Sequence, residues 1–337
     1  MSAQIFARCA LVTLGVLASS CGELTASWKL TDFRILGIRA YSRAEPTRNA
    51  PRRGEIANLE LVTADVRERP VRAAWLIVGS ISSMLPGGTG TPGTMNPLNN
   101  LNVCDSDAQR IDLPGLSLRC GPMTDFVVPA MGASDGRGRE SVTVFGMACA
   151  SGRIRIVTSG NGSSGAIPFE CSSASGEHKG WPFQYQLLVG TAAGGSANDN
   201  LLPQMVAVRA GPAAGPLTEI SMTEPATIAR CADQSSRTMC PKLRIEVEFS
   251  EGSRERYTER DPTTMAQVPR QERMLTGYVV SAGRLDGAFR SDNESEPVTT
   301  MRNDWLPPAT PGDTRLIVYA TDGRGGFVHR EVMLRTQ

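Results

Sequence analysis

The sequence is poor in lysine, histidine and aromatic side chains, and it has almost no net charge. Because 35 lysine and arginine residues balance 34 acidic ones, no excess charge would attract the chain to phosphate backbones, and we expect no nucleic-acid partner. Four Trp, five Tyr and nine Phe are few for 337 residues, whereas 34 Gly and 22 Pro are many. This composition disfavours a helical bundle and predicts short strands joined by turns.

Hydrophobic runs long enough to cross a membrane are also missing. The apolar run 9–18 follows a single charge at Arg8 and has about ten residues, whereas a membrane-spanning helix needs roughly 20. Small residues, Ser19 and Ser20, separate this run from Cys21. We interpret residues 1–20 as a secretory signal peptide.

The stretch Leu17–Cys21 resembles the lipobox of bacterial lipoproteins, whose cysteine is lipidated and becomes the first residue of the mature chain. Leu17 stands one position further from the cysteine than usual, so an ordinary signal peptide with an unmodified Cys21 is the alternative. The resemblance implies acyl chains on Cys21 that hold an exported protein on a membrane, with 21–32 as a tether. Gly22 follows, which by resemblance to Gram-negative lipoproteins implies the outer membrane and leaves its face open.

Six of the eight cysteines lie beyond the signal peptide and the anchor position. An even number in an exported chain is typical of disulfides, and pairing of sequence neighbours is one of several connectivities that six cysteines allow. We expect no metal site, because the chain has no Cys-x-x-Cys pair and only two histidines. The candidate disulfide residues are Cys104, Cys120, Cys149, Cys171, Cys231 and Cys240.

Alternating apolar and polar residues, interrupted by turn signals, predict an all-β chain with two immunoglobulin-like β-sandwich domains. We place the domains at 33–210 and 218–337, joined by a glycine- and proline-rich linker at 211–217. The segment 79–125 has little strand character, so it is predicted as a long loop insertion in the first domain, stapled by a disulfide.

Trp305 with its proline-rich turn, and then Asp322-Gly323 within the sequence DGRGG, resemble the end of a bacterial immunoglobulin-like or PKD-like domain. Trp75 resembles the core tryptophan of such a domain. The resemblance implies structural core roles for Trp75, Trp305, Asp322 and Gly323. With the lipobox and the preference for arginine over lysine, the chain resembles lipoproteins that are abundant in myxobacteria and related GC-rich bacteria, which implies a location and a fold but no reaction.

Three stretches match catalytic or phosphate-binding motifs in sequence but lack the structural context that those motifs need. Residues 132–136 read Gly-x-Ser-x-Gly but lack the strand-to-helix turn that exposes a nucleophile. Two Gly-x-Gly-x-x-Gly matches, at 88–93 and 160–165, are followed by proline rather than by a helix. We therefore expect no catalytic residue and no cofactor. The alternating charges of 251–261 predict a solvated hairpin or a sheet edge.

Three functions remain as hypotheses. The first is a non-catalytic envelope lipoprotein that presents loops to a protein partner. The second is a module that binds a glycan on Trp181, which we predict to be the most exposed tryptophan, or calcium on the acidic loop 292–296. The third is a hydrolase whose residues the sequence does not reveal, since neither His178 nor His329 has a recognisable partner.

Overall fold

The protein is all-β, as the composition and the alternation predict, and its described strands form two β-sandwich domains. Within the described residues the chain forms 24 strands and a single-turn 3-10 helix, Glu251–Ser253. The computed structural model describes residues 26–78, 102–113, 116–129, 133–134, 140–156, 169–172, 180–190, 200–232, 240, 242–261, 263–292 and 298–337.

The first domain contains three antiparallel sheets. An outer sheet has the order β1-β2-β7, a central sheet has the order β12-β9-β3-β6-β5 with β8 beside β9, and a small sheet has the order β11-β10-β4. The strands are β1 (Arg34–Ser42), β2 (Ile56–Ala64), β3 (Val71–Val78), β4 (Asn102–Val103), β5 (Arg110–Leu113), β6 (Leu116–Cys120), β7 (Met123–Val127), β8 (Ala133–Ser134), β9 (Glu140–Ala150), β10 (Arg153–Ile156), β11 (Phe169–Ser172) and β12 (Gly180–Leu188).

The central sheet is buried on both faces. In β3, Trp75 points into a core shared with the outer sheet, and the adjacent Leu76 points into a second core shared with the small sheet. A strand covered on both sides needs apolar residues at successive positions, which explains the continuous run 73–78.

Part of the loop insertion that we predicted at 79–125 forms strands. Residues 79–101 lie outside the described residues, but 102–125 contributes β4, β5, β6 and part of β7. Strand β6 pairs with β3, with Ala74 opposite Cys120. Our prediction missed β6 because it is short, yet Leu118 and Cys120 alternate with polar residues and fill the second core.

The second domain is a two-sheet sandwich. One sheet has the order β14-β13-β16-β22-β20 and the other β15-β24-β23-β19-β21, with a core between them and a separate β17-β18 pair. The strands are β13 (Met205–Pro212), β14 (Thr218–Glu219), β15 (Ala226–Ile228), β16 (Leu243–Phe249), β17 (Arg256–Arg260), β18 (Gln267–Gln271), β19 (Leu275–Val280), β20 (Arg284–Leu285), β21 (Phe289–Ser291), β22 (Thr300–Leu306), β23 (Gly312–Thr321) and β24 (Phe327–Thr336).

The predicted domain boundary is wrong by one strand. We assigned 204–209 to the first domain and 211–217 to a linker, but β13 pairs with β16 through Pro212, and its Val208 lies in the core of the second domain. The glycine- and proline-rich stretch is the turn of the β13-β14 hairpin, closed by a hydrogen bond from Gly215 N to Pro212 O (2.9 Å). The same residues favour a tight turn as readily as a linker, so composition alone did not separate the two.

The tether prediction for 21–32 also needs correction at its end. Trp28 packs against the core of the second domain, and Leu30 is buried. Hydrogen bonds from Leu30 N to Val280 O (2.8 Å) and from Val280 N to Trp28 O (2.9 Å) attach this segment to β19. The chain therefore joins the second domain before it enters the first.

Candidate functional site

The six candidate cysteines form three disulfides between sequence neighbours: Cys104–Cys120, Cys149–Cys171 and Cys231–Cys240. The first two lie in the core between the central and small sheets, so they tie the third layer of the first domain to its centre. Three disulfides are typical of proteins that fold in an oxidising compartment and indicate an exported protein.

The tryptophans singled out as core residues are both fully buried. Trp75 lies edge-on to Phe183 and donates a hydrogen bond from Nε1 to Gly121 O (2.7 Å). Trp305 donates from Nε1 to Ala282 O (3.1 Å). Each indole thus fills a core and also satisfies its one polar group, as buried tryptophans require.

Asp322 and Gly323 form the expected hairpin turn between β23 and β24, and this turn lies against the first domain. Asp322 Oδ1 accepts hydrogen bonds from Arg324 N (2.7 Å) and Gly326 N (2.9 Å), while Gly323 takes a φ of 78°. Asx turns of this kind need a short acceptor side chain followed by residues that tolerate positive φ. The turn is therefore encoded locally.

The first domain and the segment after it contact the turn through side chains. Tyr185 of β12 donates from its hydroxyl to Gly325 O (3.0 Å), and Asn200 Nδ2 donates to Arg324 O (3.3 Å). Asn49 N in turn donates to Asn200 O (2.7 Å). We call this group of residues, with the acids described next, the junction cluster, because it joins the two sandwiches.

Arg324 is the charged centre of the junction cluster. Its Nη1 lies 2.8 Å from Glu272 Oε1 and 3.6 Å from Glu255 Oε2, and its guanidinium stacks over the Tyr257 ring at 4.5 Å. Glu272 Oε2 also accepts from Glu255 N (3.0 Å), and Glu255 Oε2 accepts from Leu201 N (2.9 Å). Two acidic side chains, Glu255 and Glu272, therefore share one buried guanidinium.

Burial makes this arrangement sensitive to protonation. Burial and the negative charge of Asp322 raise the pKa of Glu272 to about 8. Burial also raises the pKa of Asp322, whose Oδ2 is enclosed without a hydrogen-bond partner among the described groups. Burial and Asp322 raise the pKa of Tyr185, which keeps its hydroxyl a donor. With its pKa at about 8, Glu272 keeps its proton at neutral pH.

An apolar contact between the domains lies beside the polar one. Gly37 of β1 packs so closely on Phe327 of β24 that a Cβ atom there would be 2.3 Å from the ring. Leu30, Ala64 and Ile317 form a small buried cluster in the same interface. The two sandwiches are thus held by packing as well as by hydrogen bonds.

Trp181 and Asp292, which we named as candidates for glycan or calcium binding, have structural roles. Trp181, which we predicted to be exposed, is half-buried with its ring centroid 4.4 Å from that of Phe33. Asp292 of the predicted acidic loop is buried, pairs with Arg254 at 2.6 Å and accepts from Met274 N (2.7 Å); 293–297 lie outside the described residues.

The catalytic-looking motifs fall on strands or outside the described chain. Ser134 belongs to β8 and pairs with Glu140, so it does not lie on a strand-to-helix turn. Both Gly-x-Gly-x-x-Gly stretches, His178 and Cys21 lie outside the described residues. His329, in β24, has its pKa lowered by burial and is a neutral side chain near Phe327. The charged stretch 251–261 contains β17, which pairs with β18 as a hairpin.

Sequence reasoning missed Glu255 and Glu272 as parts of one cluster. Glu255 lies in the stretch that we interpreted as a solvated edge, and Glu272 precedes a buried methionine without any periodic pattern. The pairing of β17 with β18 places them side by side, with a hydrogen bond from Glu272 N to Glu255 O (3.0 Å), and the 322–326 turn adds Arg324. In the described part of the chain, no group of three or more His, Cys, Asp or Glu residues is arranged to hold a metal ion. No helix there is long and apolar enough to cross a membrane.

The fold and the junction define a disulfide-bonded protein of two joined β-sandwiches. No protein-family model and no curated protein matches the chain. Among solved structures, the D00-D0 domain of intimin is similar at 8% identity and a TM-score of 0.22, covering 88% of this chain and 98% of that one. Latent PorU from Porphyromonas gingivalis is similar at 9% identity and a TM-score of 0.21, and the match covers 91% of this chain and 24% of PorU. Escherichia coli alpha-2-macroglobulin is similar at 8% identity and a TM-score of 0.20, and the match covers 93% of this chain and 22% of the macroglobulin.

Proposed function

We propose that this protein is a cell-envelope lipoprotein, held at the outer membrane by acyl chains on Cys21, whose two domains form a rigid, non-catalytic scaffold for a protein partner. The junction cluster is the observation that carries the proposal. Its described contacts pair the acids with Arg324 and with backbone N–H groups of both the turn and the inter-domain segment. The side chains of Glu255, Glu272 and Asp322 thus have structural contacts at the junction of the two sandwiches.

Rigidity is what a scaffold gains from such a junction. Loops on two flexibly linked domains would lose orientational freedom on binding, whereas loops on one rigid body have already lost it. Arg324, Tyr185 and Gly37 each contribute contacts between the domains or within their junction. The disulfides give the same body resistance to unfolding in an oxidising environment.

Lipidation is tested by the intact mass of the protein from the membrane fraction of a lipoprotein-processing host. We expect a chain that begins at Cys21 with added acyl mass and that gains six hydrogens on reduction, as three disulfides require. The matched control is Cys21→Ser, which should remain unprocessed and unacylated. A wild-type chain cleaved elsewhere, without lipid, would refute the anchor.

The scaffold role is tested by chemical cross-linking in the intact envelope. We expect a discrete cross-linked species with the wild type that is lost in Gly37→Val, which forces a side chain into the inter-domain contact. Gly252→Val is the control, because Gly252 has no atom within 4 Å of an added Cβ. The absence of any such species with the wild type, or its persistence in Gly37→Val, would contradict a rigid scaffold.

A further inference from the structure

A shallow pocket of about 370 Å³ lies where the N-terminal segment meets the second domain. It is lined by Lys29, Ser281, Ala282, Gly283, Arg284 and Leu306. Lys29 and Arg284 are both exposed, and neither forms an ion pair within the described part of the chain. The pocket therefore has two positive charges and no described counter-charge.

The backbone around both cations is held in place. Hydrogen bonds between β19 and the residues on either side of Lys29 fix that segment, as described above. Arg284 is fixed in β20 opposite Leu306, and the preceding Gly283 has a φ of 77° that an L-residue rarely adopts. The backbone that carries both cations is thus fixed, so an anion that binds there need not order a loop.

The remaining lining residues suit a phosphate that carries organic substituents. The Ser281 hydroxyl accepts from Arg315 N (2.9 Å), which leaves its own proton available to donate to a ligand oxygen. Ala282 and Leu306 provide apolar contact beside the charges. Two cations and a hydroxyl can together bind a phosphate through charge-assisted hydrogen bonds.

The position of the pocket near the proposed lipid anchor indicates which phosphate-containing ligand lies close to it. Lys29 is eight residues from Cys21, so an extended chain separates the two by about 28 Å at most. From this we infer that the pocket binds the phosphate of an anionic lipid headgroup and sets the second domain against the membrane, an inference that rests on the proposed anchor.

Lysine labelling can test this contact, because the chain has only three lysines. The signal-free chain is coupled through its Cys21 thiol to a maleimide lipid in phosphatidylcholine vesicles, with or without phosphatidylglycerol. A membrane-impermeant acetylating reagent then modifies Lys29, and Lys242, which pairs with Asp286 at 2.5 Å, is the internal reference. We expect Lys29 to be protected about fivefold by phosphatidylglycerol, which corresponds to about 1 kcal/mol.

Two variants sharpen the test. Arg284→Ala should abolish most of the protection, whereas Arg256→Ala, an exposed arginine on the β17-β18 pair, should keep it. Equal labelling of Lys29 on both vesicles would overturn the inference, and so would protection by millimolar inorganic phosphate without protection by vesicles. Since the coupling is chemical, these outcomes do not depend on whether cells acylate Cys21.

Discussion

The protonation of Glu272 predicts how the stability of the protein depends on pH. The pKa of Glu272 is raised from 4.5 to about 8 by burial and by Asp322. A carboxyl whose pKa is higher in the folded than in the unfolded state binds its proton more tightly when folded. Its contribution to stability is therefore fully present below pH 4.5 and is lost as the pH rises through about 8.

The size of the effect follows from the same two values. The interval from 4.5 to about 8 is about 3.5, and each pKa unit corresponds to about 1.4 kcal/mol, so the upper limit is about 5 kcal/mol. Glu272 is only 2% exposed, so solvent screening reduces this figure little. Glu272→Gln keeps the shape and cannot ionise, so the variant should escape this loss.

The measurement is the free energy of unfolding in urea, for the wild type and Glu272→Gln, between pH 5 and pH 9. We expect the two proteins to differ little at pH 5 and the variant to be more stable at pH 9, by up to about 5 kcal/mol. The control is Glu224→Gln, which removes an exposed acid and should follow the wild type. A difference between wild type and Glu272→Gln that stays constant with pH would refute the reasoning.

Two further substitutions test the packing. Gly37→Val should lower the free energy of unfolding by about 1–3 kcal/mol, because the side chain overlaps the Phe327 ring, whereas Gly252→Val should leave it unchanged; urea unfolding distinguishes them. Trp305→Ala should cost about 3–5 kcal/mol in the same assay, because it empties a fully buried site, whereas Phe289→Ala, at a side chain that is 48% exposed, should cost below about 1 kcal/mol. Equal losses for Trp305 and Phe289 would contradict the described core.

The sequence by itself determined the features that depend on near neighbours. Alternation identified most strands. The Asp322-Gly323 turn was predictable because an Asx turn needs only its own few residues. Cysteine number and the apolar leader supported an exported, disulfide-bonded chain for the same reason: these signals are compositional or local.

Only the tertiary structure decided what depends on distant parts of the chain. The stretch 210–216 forms part of a strand and its turn rather than a linker because β16 provides a pairing partner more than thirty residues later. Glu255 and Glu272 meet across the β17-β18 hairpin, and the turn after β23 brings Arg324 to them from more than fifty residues further along the chain. Their separate sequence contexts carry no sign of this contact, since pairing between remote segments is set by which faces remain to be covered once each sheet has formed.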